Sequence, residues 1–274
     1  MKILILGGSG LLAGPVAYQL DKAGFGLRLF SRSVKADMFS KDFELMQGDL
    51  FNPADLEKAC ETCDAVHISV SGVDDEKAME AILDTAGKAG IKKISLVSGA
   101  TVAEENRWFS FTDKKYRAEQ MLIQSGIPYY IFRPTWFFES LGMLVRNGKA
   151  TILGHQVHPY HWVSADDLGS MVATAYATPG AENGIYYVYG PERADMRNML
   201  ERYCARFHPE ISKISEAPIP LLRFIAFISG KKGLRFATSL FSYFEKVPEP
   251  EIPEKELAKL GRPATDFDTW ARQK

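Results

Sequence analysis

The stretch Met1-Lys2-Ile3-Leu4-Ile5-Leu6-Gly7-Gly8-Ser9-Gly10-Leu11-Leu12-Ala13-Gly14 decides the fold. Its first half is a short apolar run, which reads as a strand buried on both faces. Its second half satisfies Gly-x-x-Gly-x-x-Ala and Gly-x-Gly-x-x-Ala at once, and Pro15 follows in a helix's opening turn, where its missing N–H costs nothing. Strand, glycine turn and helix in that order open a dinucleotide-binding Rossmann unit. A side chain at Gly7 or Gly10 would block the turn or the approach of a pyrophosphate, whose charge is met by backbone N–H groups at the helix N-terminus. The candidate contacts here are Gly7, Ser9, Gly10, Leu11 and Leu12.

Outward from this turn, strand and helix signals alternate, which predicts an α/β, doubly wound parallel sheet. Leu27–Phe30 reads as the second strand, and Asn52-Pro53 as an N-cap and first helical residue leading toward Cys60. Ala65–Val70 is a strand, Met79–Lys88 a helix stopped at Gly90, and Ile94–Ser98 another strand. Lys114–Gln124 reads as a helix ended by Gly126, and Tyr129–Phe132 as a strand stopped by Pro134. Beyond residue 135 the alternation becomes irregular. The expected division is a nucleotide-binding core over residues 1–150 and a smaller substrate or lid lobe over 151–274, with some segments returning to the core. Ser164-Ala165-Asp166-Asp167 caps a late helix, the acids serving its N-terminal end. Ile185–Tyr189 is a late strand, and Val247–Pro253 a stiff acidic connector to a short terminal helix.

With 33 basic and 34 acidic residues the net charge is −1, so no global field steers the chain toward nucleic acid or an anionic membrane, and a small-molecule substrate is favoured. The opening apolar run is too short for a signal peptide, so a cytoplasmic protein is expected. Three cysteines make no disulfide framework, and Cys60-x-x-Cys63 lacks a second pair or His partner. His155-x-x-His158-x-x-His161 has Pro159 inside it, and three-residue spacing along an extended strand alternates faces, so no metal is expected. Pro220–Phe244 carries Arg223, Lys231, Lys232 and Arg235, with Gly230 and Gly233, and cannot supply about 20 uninterrupted apolar residues for an integral membrane segment. Its run from Leu221 to Ile228 reads as core or as a lid over a pocket; a face for a membrane or partner has the same sequence signature.

The end of the second strand chooses between the two nicotinamide dinucleotides, because an acid there would hydrogen-bond the NAD ribose whereas a cation pairs with the NADP 2′-phosphate. The chain has Ser31-Arg32-Ser33 and no Asp or Glu before Asp37. A guanidinium fork flanked by two hydroxyls favours NADP(H), with NAD(H) as the alternative.

Several further stretches carry a resemblance: Gly48-Asp49-Leu50, Asp64-Ala65-Val66, Val97-Ser98-Gly99, Glu119 with Ser125-Gly126-Ile127-Pro128-Tyr129, Phe132-Arg133-Pro134, and Val163-Ser164-Ala165-Asp166-Asp167-Leu168. Together with the glycine turn they resemble the atypical, extended short-chain dehydrogenase/reductase superfamily near its NmrA-like and isoflavone-reductase-like branch, continuously over residues 1–190. The resemblance implies that Asp49 and Leu50 lie beside the adenine, that Ser69, Val70 and Ser71 border the adenosine ribose and pyrophosphate, and that Pro134 and Thr135 lie near the nicotinamide.

The superfamily's usual acid is a Tyr four residues before a Lys, the Lys lowering the phenol's pKa. At the corresponding helix stand Asp113 and Arg117, and the Tyr18/Lys22 spacing falls on the first helix instead. The resemblance makes Lys115 the candidate to hold the nicotinamide ribose or donate a proton. Ser98 and Thr101 are candidate catalytic hydroxyls at the carboxyl end of a strand. Trp136, Phe137 and Phe138, with Trp108 from the preceding loop, are the candidate substrate wall, suited to an apolar or aromatic molecule. Three functions fit: an NADP(H)-dependent reductase of a small apolar or aromatic carbonyl or enone, an NADP(H)-binding redox sensor without catalysis, and an NAD-dependent sugar-nucleotide epimerase or dehydratase. Either a monomer or a homodimer is compatible.

Overall fold

The computed structural model describes residues 1–70 and 74–274. Along the chain, β1 (Lys2–Leu6) is followed by α1 (Ala13–Lys22), β2 (Gly26–Ser31), β3 (Glu44–Gln47), α2 (Pro53–Cys60) and β4 (Ala65–Ile68). Next come α3 (Asp75–Ala89), β5 (Lys93–Val97), α4 (Ser110–Gln124) and β6 (Tyr129–Pro134). The second half contains β7 (Trp136–Phe137), β8 (Val145–Arg146), β9 (Lys149–Leu153), β10 (Tyr160–Val163), α5 (Ala165–Ala177), β11 (Gly184–Val188) and β12 (Glu192–Ala194). It closes with α6 (Met196–Phe207), β13 (Ile214–Ala217), α7 (Ile219–Ser229), α8 (Lys232–Phe244), α9 (Glu254–Leu257) and α10 (Phe267–Arg272).

Two compact units result. The first comprises Met1–Pro134, Ala165–Val188 and Ile252–Pro263. Its seven strands, in the order β11-β6-β5-β4-β1-β2-β3, are all parallel, so the sheet is doubly wound, with β1 in its interior between β4 and β2. From β1 the chain winds outward through β2 and β3, then returns to lay β4, β5 and β6 on the other side. That reversal creates a crevice outside the carboxyl ends of β1 and β4, where open α/β sheets bind ligands. Burial explains the apolar runs: Ile3, Leu4, Ile5 and Leu6 are all 1% exposed or less, because helices cover both faces of a central parallel strand. Asn52 caps α2 by accepting from the Ala54 N–H at 3.1 Å, with Pro53 at its first position. Gly90 ends α3 in the left-handed conformation.

Several elements depart from the sequence reading: α3 starts at Asp75 rather than Met79, and two further departures stand out. Glu44–Gln47 forms an edge strand that its mixed, half-exposed pattern hid. Helix α4 starts at Ser110 rather than Lys114, since the Asp113 N–H already bonds the Phe109 carbonyl at 2.9 Å. Lys115 therefore stands in the second turn.

A buried ion pair pins α4 to the sheet. Glu119, fully buried, accepts from Arg133 Nε of β6 at 3.1 Å and from its Nη2, and Arg133 Nη1 donates to the Tyr187 hydroxyl of β11 at 3.0 Å. The two-pronged geometry compensates the desolvation of both charges.

The second unit comprises Thr135–Ser164, Tyr189–Glu251 and Ala264–Lys274. It holds two small sheets, β12-β10-β7 and β13-β9-β8, around a core of Phe138, Trp162, Met199, Leu200, Phe267 and Trp270. The core expectation for the run after Leu221 fails: Leu221, Phe224, Ile225, Phe227 and Ile228 of α7 are exposed.

Candidate active site

At the central crevice of the first unit, Gly7 leaves β1 with φ +94°, and a Cβ there would lie 2.2 Å from the Ser69 carbonyl oxygen. Only glycine satisfies both the dihedral and the contact. The next turn is closed by the Gly10 N–H donating to the Gly7 carbonyl at 2.8 Å. Among the described residues no backbone acceptor takes the N–H of Ser9, Leu11 or Leu12. Three backbone donors are thus concentrated beside the start of α1, whose first turn carries no acid to compete for them. Such an arrangement suits a diphosphate.

The cleft continues past the end of β2 to Ser31, Arg32 and Ser33. Arg32 is exposed and makes no ion pair among the described residues. Around it the Ser31 hydroxyl donates to Ser9 Oγ at 2.9 Å, and the Ser9 and Ser33 hydroxyls lie 3.0 Å apart. A guanidinium with its fork free, beside three linked hydroxyls, provides the donors a phosphomonoester takes. Among the described residues, no carboxylate but that of Asp49 lines the cleft. Asp49 Oδ1 accepts from the Phe51 N–H at 3.0 Å, while the Asp49 N–H donates to Asp55 Oδ2 at 2.9 Å. Asp49 thus tightens the turn after β3 as well as facing the cleft, and buried Leu50 supplies the apolar floor. Ser69 and Val70 form the opposite wall at the end of β4, whereas Ser71 lies outside the described residues.

At the carboxyl end of β5, Ser98 is buried and its Oγ has no hydrogen-bond partner among the described residues. An orphan hydroxyl costs about 1–3 kcal/mol unless a ligand or water completes it, so it fits a place where something binds. Thr101 is buried nearby in sequence, its carbonyl accepting from Asn106 Nδ2 at 2.9 Å. Lys115 Nζ donates to Asp75 Oδ1 at 2.9 Å and lies 5.3 Å from the Phe111 ring centroid. Both partners of this pair are mostly buried, their side chains 12% and 9% exposed. Lys114, by contrast, pairs with Asp74 in a more open setting. The sequence alone could not separate these two lysines, because only the start of α3 distinguishes their partners. The positions of the missing Tyr/Lys pair hold a salt bridge instead, Arg117 Nε to Asp113 Oδ2 at 3.0 Å. The Arg107 guanidinium, hydrogen-bonded to Asp113, holds that carboxyl below the usual carboxylate range, so it remains an anion and is no proton donor near neutral pH.

Pro134 ends β6, and Ala100 N–H bonds its carbonyl at 2.8 Å. Within the second unit, Thr135 Oγ1 donates to Glu249, a buried carboxylate that also accepts from the His161 N–H and His161 Nδ1. The sequence offered no signal for this pairing, since 88 residues separate His161 from Glu249. His155 instead faces Glu216, a different carboxylate from the Glu249 that holds His161. The candidate aromatic wall divides. Trp136 and Phe137 are partly exposed, and the Trp136 Nε1 is buried without a partner among the described residues. Phe138 is a correction: it is fully buried, its ring packed on Trp162, Phe267 and Trp270, and has no face for a substrate. Trp108 is 59% exposed in the first unit.

A family model described as NAD(P)H-binding matches residues 7–179. The NAD(P)H azoreductase of Xenophilus azovorans is 27% identical over 201 residues, 69% of this chain and 68% of the relative. Among solved structures, a nucleoside-diphosphate-sugar epimerase from Staphylococcus aureus superposes with a TM-score of 0.78 at 16% identity, covering 99% of this chain and all of the other. The Citrobacter triphenylmethane reductase, solved with NADP(H), superposes with a TM-score of 0.74 at 18% identity, over all of this chain and 99% of the other. These likenesses show the fold: a Rossmann-type sheet shared by reductases and epimerases.

Proposed function

Because the chain belongs to the NAD(P)H-binding family, we propose that it is an NADP(H)-dependent reductase of a small apolar or aromatic carbonyl or enone. The observation that carries this reading is Arg32, without an ion pair among the described residues and lining the same cleft as the linked hydroxyls of Ser9, Ser31 and Ser33 at the end of β2. The glycine turn from Gly7 to Leu12 holds the pyrophosphate, Leu50 and Asp49 border the adenine, and Ser69 and Val70 border the ribose. When bound, the reduced nicotinamide supplies a hydride. A proton must then reach the substrate's oxygen or carbon, and the Lys115 ammonium is the donor: one of its three N–H groups is committed to Asp75, which fixes the side chain. Ser98, with its free hydroxyl, and Thr101 position the reacting end, beside Pro134. Trp108, exposed in the same unit, offers the substrate an apolar contact. The azoreductase relative supports a reductase rather than a sugar-nucleotide epimerase, as does the replacement of the Tyr/Lys pair by Asp113 and Arg117.

That replacement also favours a second reading, an NADP(H)-binding sensor without catalysis. The test is NADPH oxidation by wild type and Lys115→Met against a panel of aromatic aldehydes, enones, quinones and azo compounds. A reductase turns over at least one class, and Lys115→Met lowers kcat/KM by about a hundredfold or more while NADPH affinity changes far less. Tight NADPH binding with no oxidation across the panel establishes the sensor instead.

A further inference from the structure

Helices α7 and α8 pack on each other as a hairpin, tied by Arg223 Nη2 donating to the Ser242 hydroxyl at 2.9 Å. At about 100° per residue, Ile219, Leu222 and Ala226 share the side of α7 that is turned inward. Leu221, Phe224, Ile225, Phe227 and Ile228 fill an arc of about 160° on the other side. All five are exposed, Phe227 by 78%, Ile228 by 68% and Phe224 by 62%. Phe236 of α8 is exposed as well. Single exposed apolar residues need no explanation, but a contiguous set of this size marks an interaction surface.

Charge identifies the partner. Between Glu216 and Glu245 there are four cations, Arg223, Lys231, Lys232 and Arg235, and no acid, in a chain whose net charge is −1. Lys231, Lys232 and Arg235 are exposed around the turn that joins the two helices. A second copy meeting this face across a two-fold axis would set the same cations against themselves. An anionic lipid surface meets both features, taking the aromatic and aliphatic side chains into its interface and pairing its headgroups with the basic rim. We propose that the α7–α8 hairpin docks the protein peripherally on anionic membranes. No helix among the described residues is long and apolar enough to cross a bilayer, so the attachment is interfacial.

The test is co-sedimentation of the full chain with vesicles of equal parts phosphatidylglycerol and phosphatidylcholine, against vesicles of phosphatidylcholine alone. The anionic vesicles are expected to bind at least about tenfold more tightly, with binding falling as salt rises. Lys231→Gln with Lys232→Gln weakens binding about thirtyfold, some fivefold for each cation. Phe227→Ser with Ile228→Ser abolishes it. NADPH titration of each variant reports whether the nucleotide-binding unit stays folded. The proposal is overturned by an absence of binding to anionic vesicles, or by equal binding to both vesicle types that the glutamine variants leave intact. It is equally overturned if the wild type sediments as a dimer that the Phe227/Ile228 variant dissociates, since the face then belongs to a second copy.

Discussion

Replacing Arg32 with alanine tests how the cofactor is chosen. The guanidinium stands exposed at the end of β2 with no ion pair among the described residues, so its removal strands no internal partner and leaves the fold unchanged. A charge-assisted hydrogen bond contributes about 1.5–3 kcal/mol net, and solvent around this side chain argues for the lower end. NADPH should therefore bind about tenfold more weakly to Arg32→Ala, the equivalent of about 1.4 kcal/mol. NADH lacks the 2′-phosphate and should change by less than about twofold. Isothermal titration of both dinucleotides into wild type and variant measures all four affinities. The hydroxyls of Ser9, Ser31 and Ser33 remain in the variant, so a residual preference for NADPH is expected. If both dinucleotides weaken equally, or neither does, Arg32 is a surface charge and the phosphate-site reasoning fails.

Other consequences follow from particular contacts. Gly7→Ala sets a Cβ into the Ser69 carbonyl at a positive φ, and should lower the melting temperature and weaken NADPH by more than about a hundredfold in the same titration. Glu119→Ala leaves Arg133 buried and singly partnered, and should cost about 3–5 kcal/mol in urea unfolding at neutral pH. His67, fully buried on β4 with Nδ1 2.7 Å from Ser95 Oγ, has its pKa pushed down to about 3 by burial. The folded state therefore disfavours the protonated ring. The stability gained by keeping it neutral is complete above the unfolded pKa of about 6.5 and is lost as pH falls toward 3. Between pH 7 and pH 5 this one group should remove about 2 kcal/mol. His67→Leu should flatten that part of the urea-midpoint profile, and an unchanged slope would show that other groups carry it.

The first unit was legible in the sequence because its signals are local and redundant. The apolar run at Ile3–Leu6, the glycines at Gly7 and Gly10, and the Asn52-Pro53 cap each report their own backbone environment, and they agree. Strand β3 was missed because an edge strand buries little and so shows no clean alternation. The phosphate-selecting residues were readable from Ser31-Arg32-Ser33, yet the free state of Arg32 and the linked hydroxyls needed the folded loop. The resemblance names Lys115, but what sets it apart from Lys114 was not readable, since Asp74 and Asp75, their separate partners, lie 40 residues away. Phe138 and the α7 face erred in opposite directions, one buried and one exposed. Hydrophobicity alone does not say whether an aromatic packs on its own chain or waits for a partner.

The most direct test of the central claim is deuterium transfer in a single turnover. The protein is loaded with NADPH deuterated at the transferred position of C4 and mixed with an aldehyde or enone from the panel that supports oxidation. The account predicts deuterium on the substrate's carbon with a primary isotope effect on nicotinamide decay, and a much slower decay in Lys115→Met. Solvent hydrogen at that carbon, or NADPH that stays bound and unoxidised with every acceptor, would contradict it.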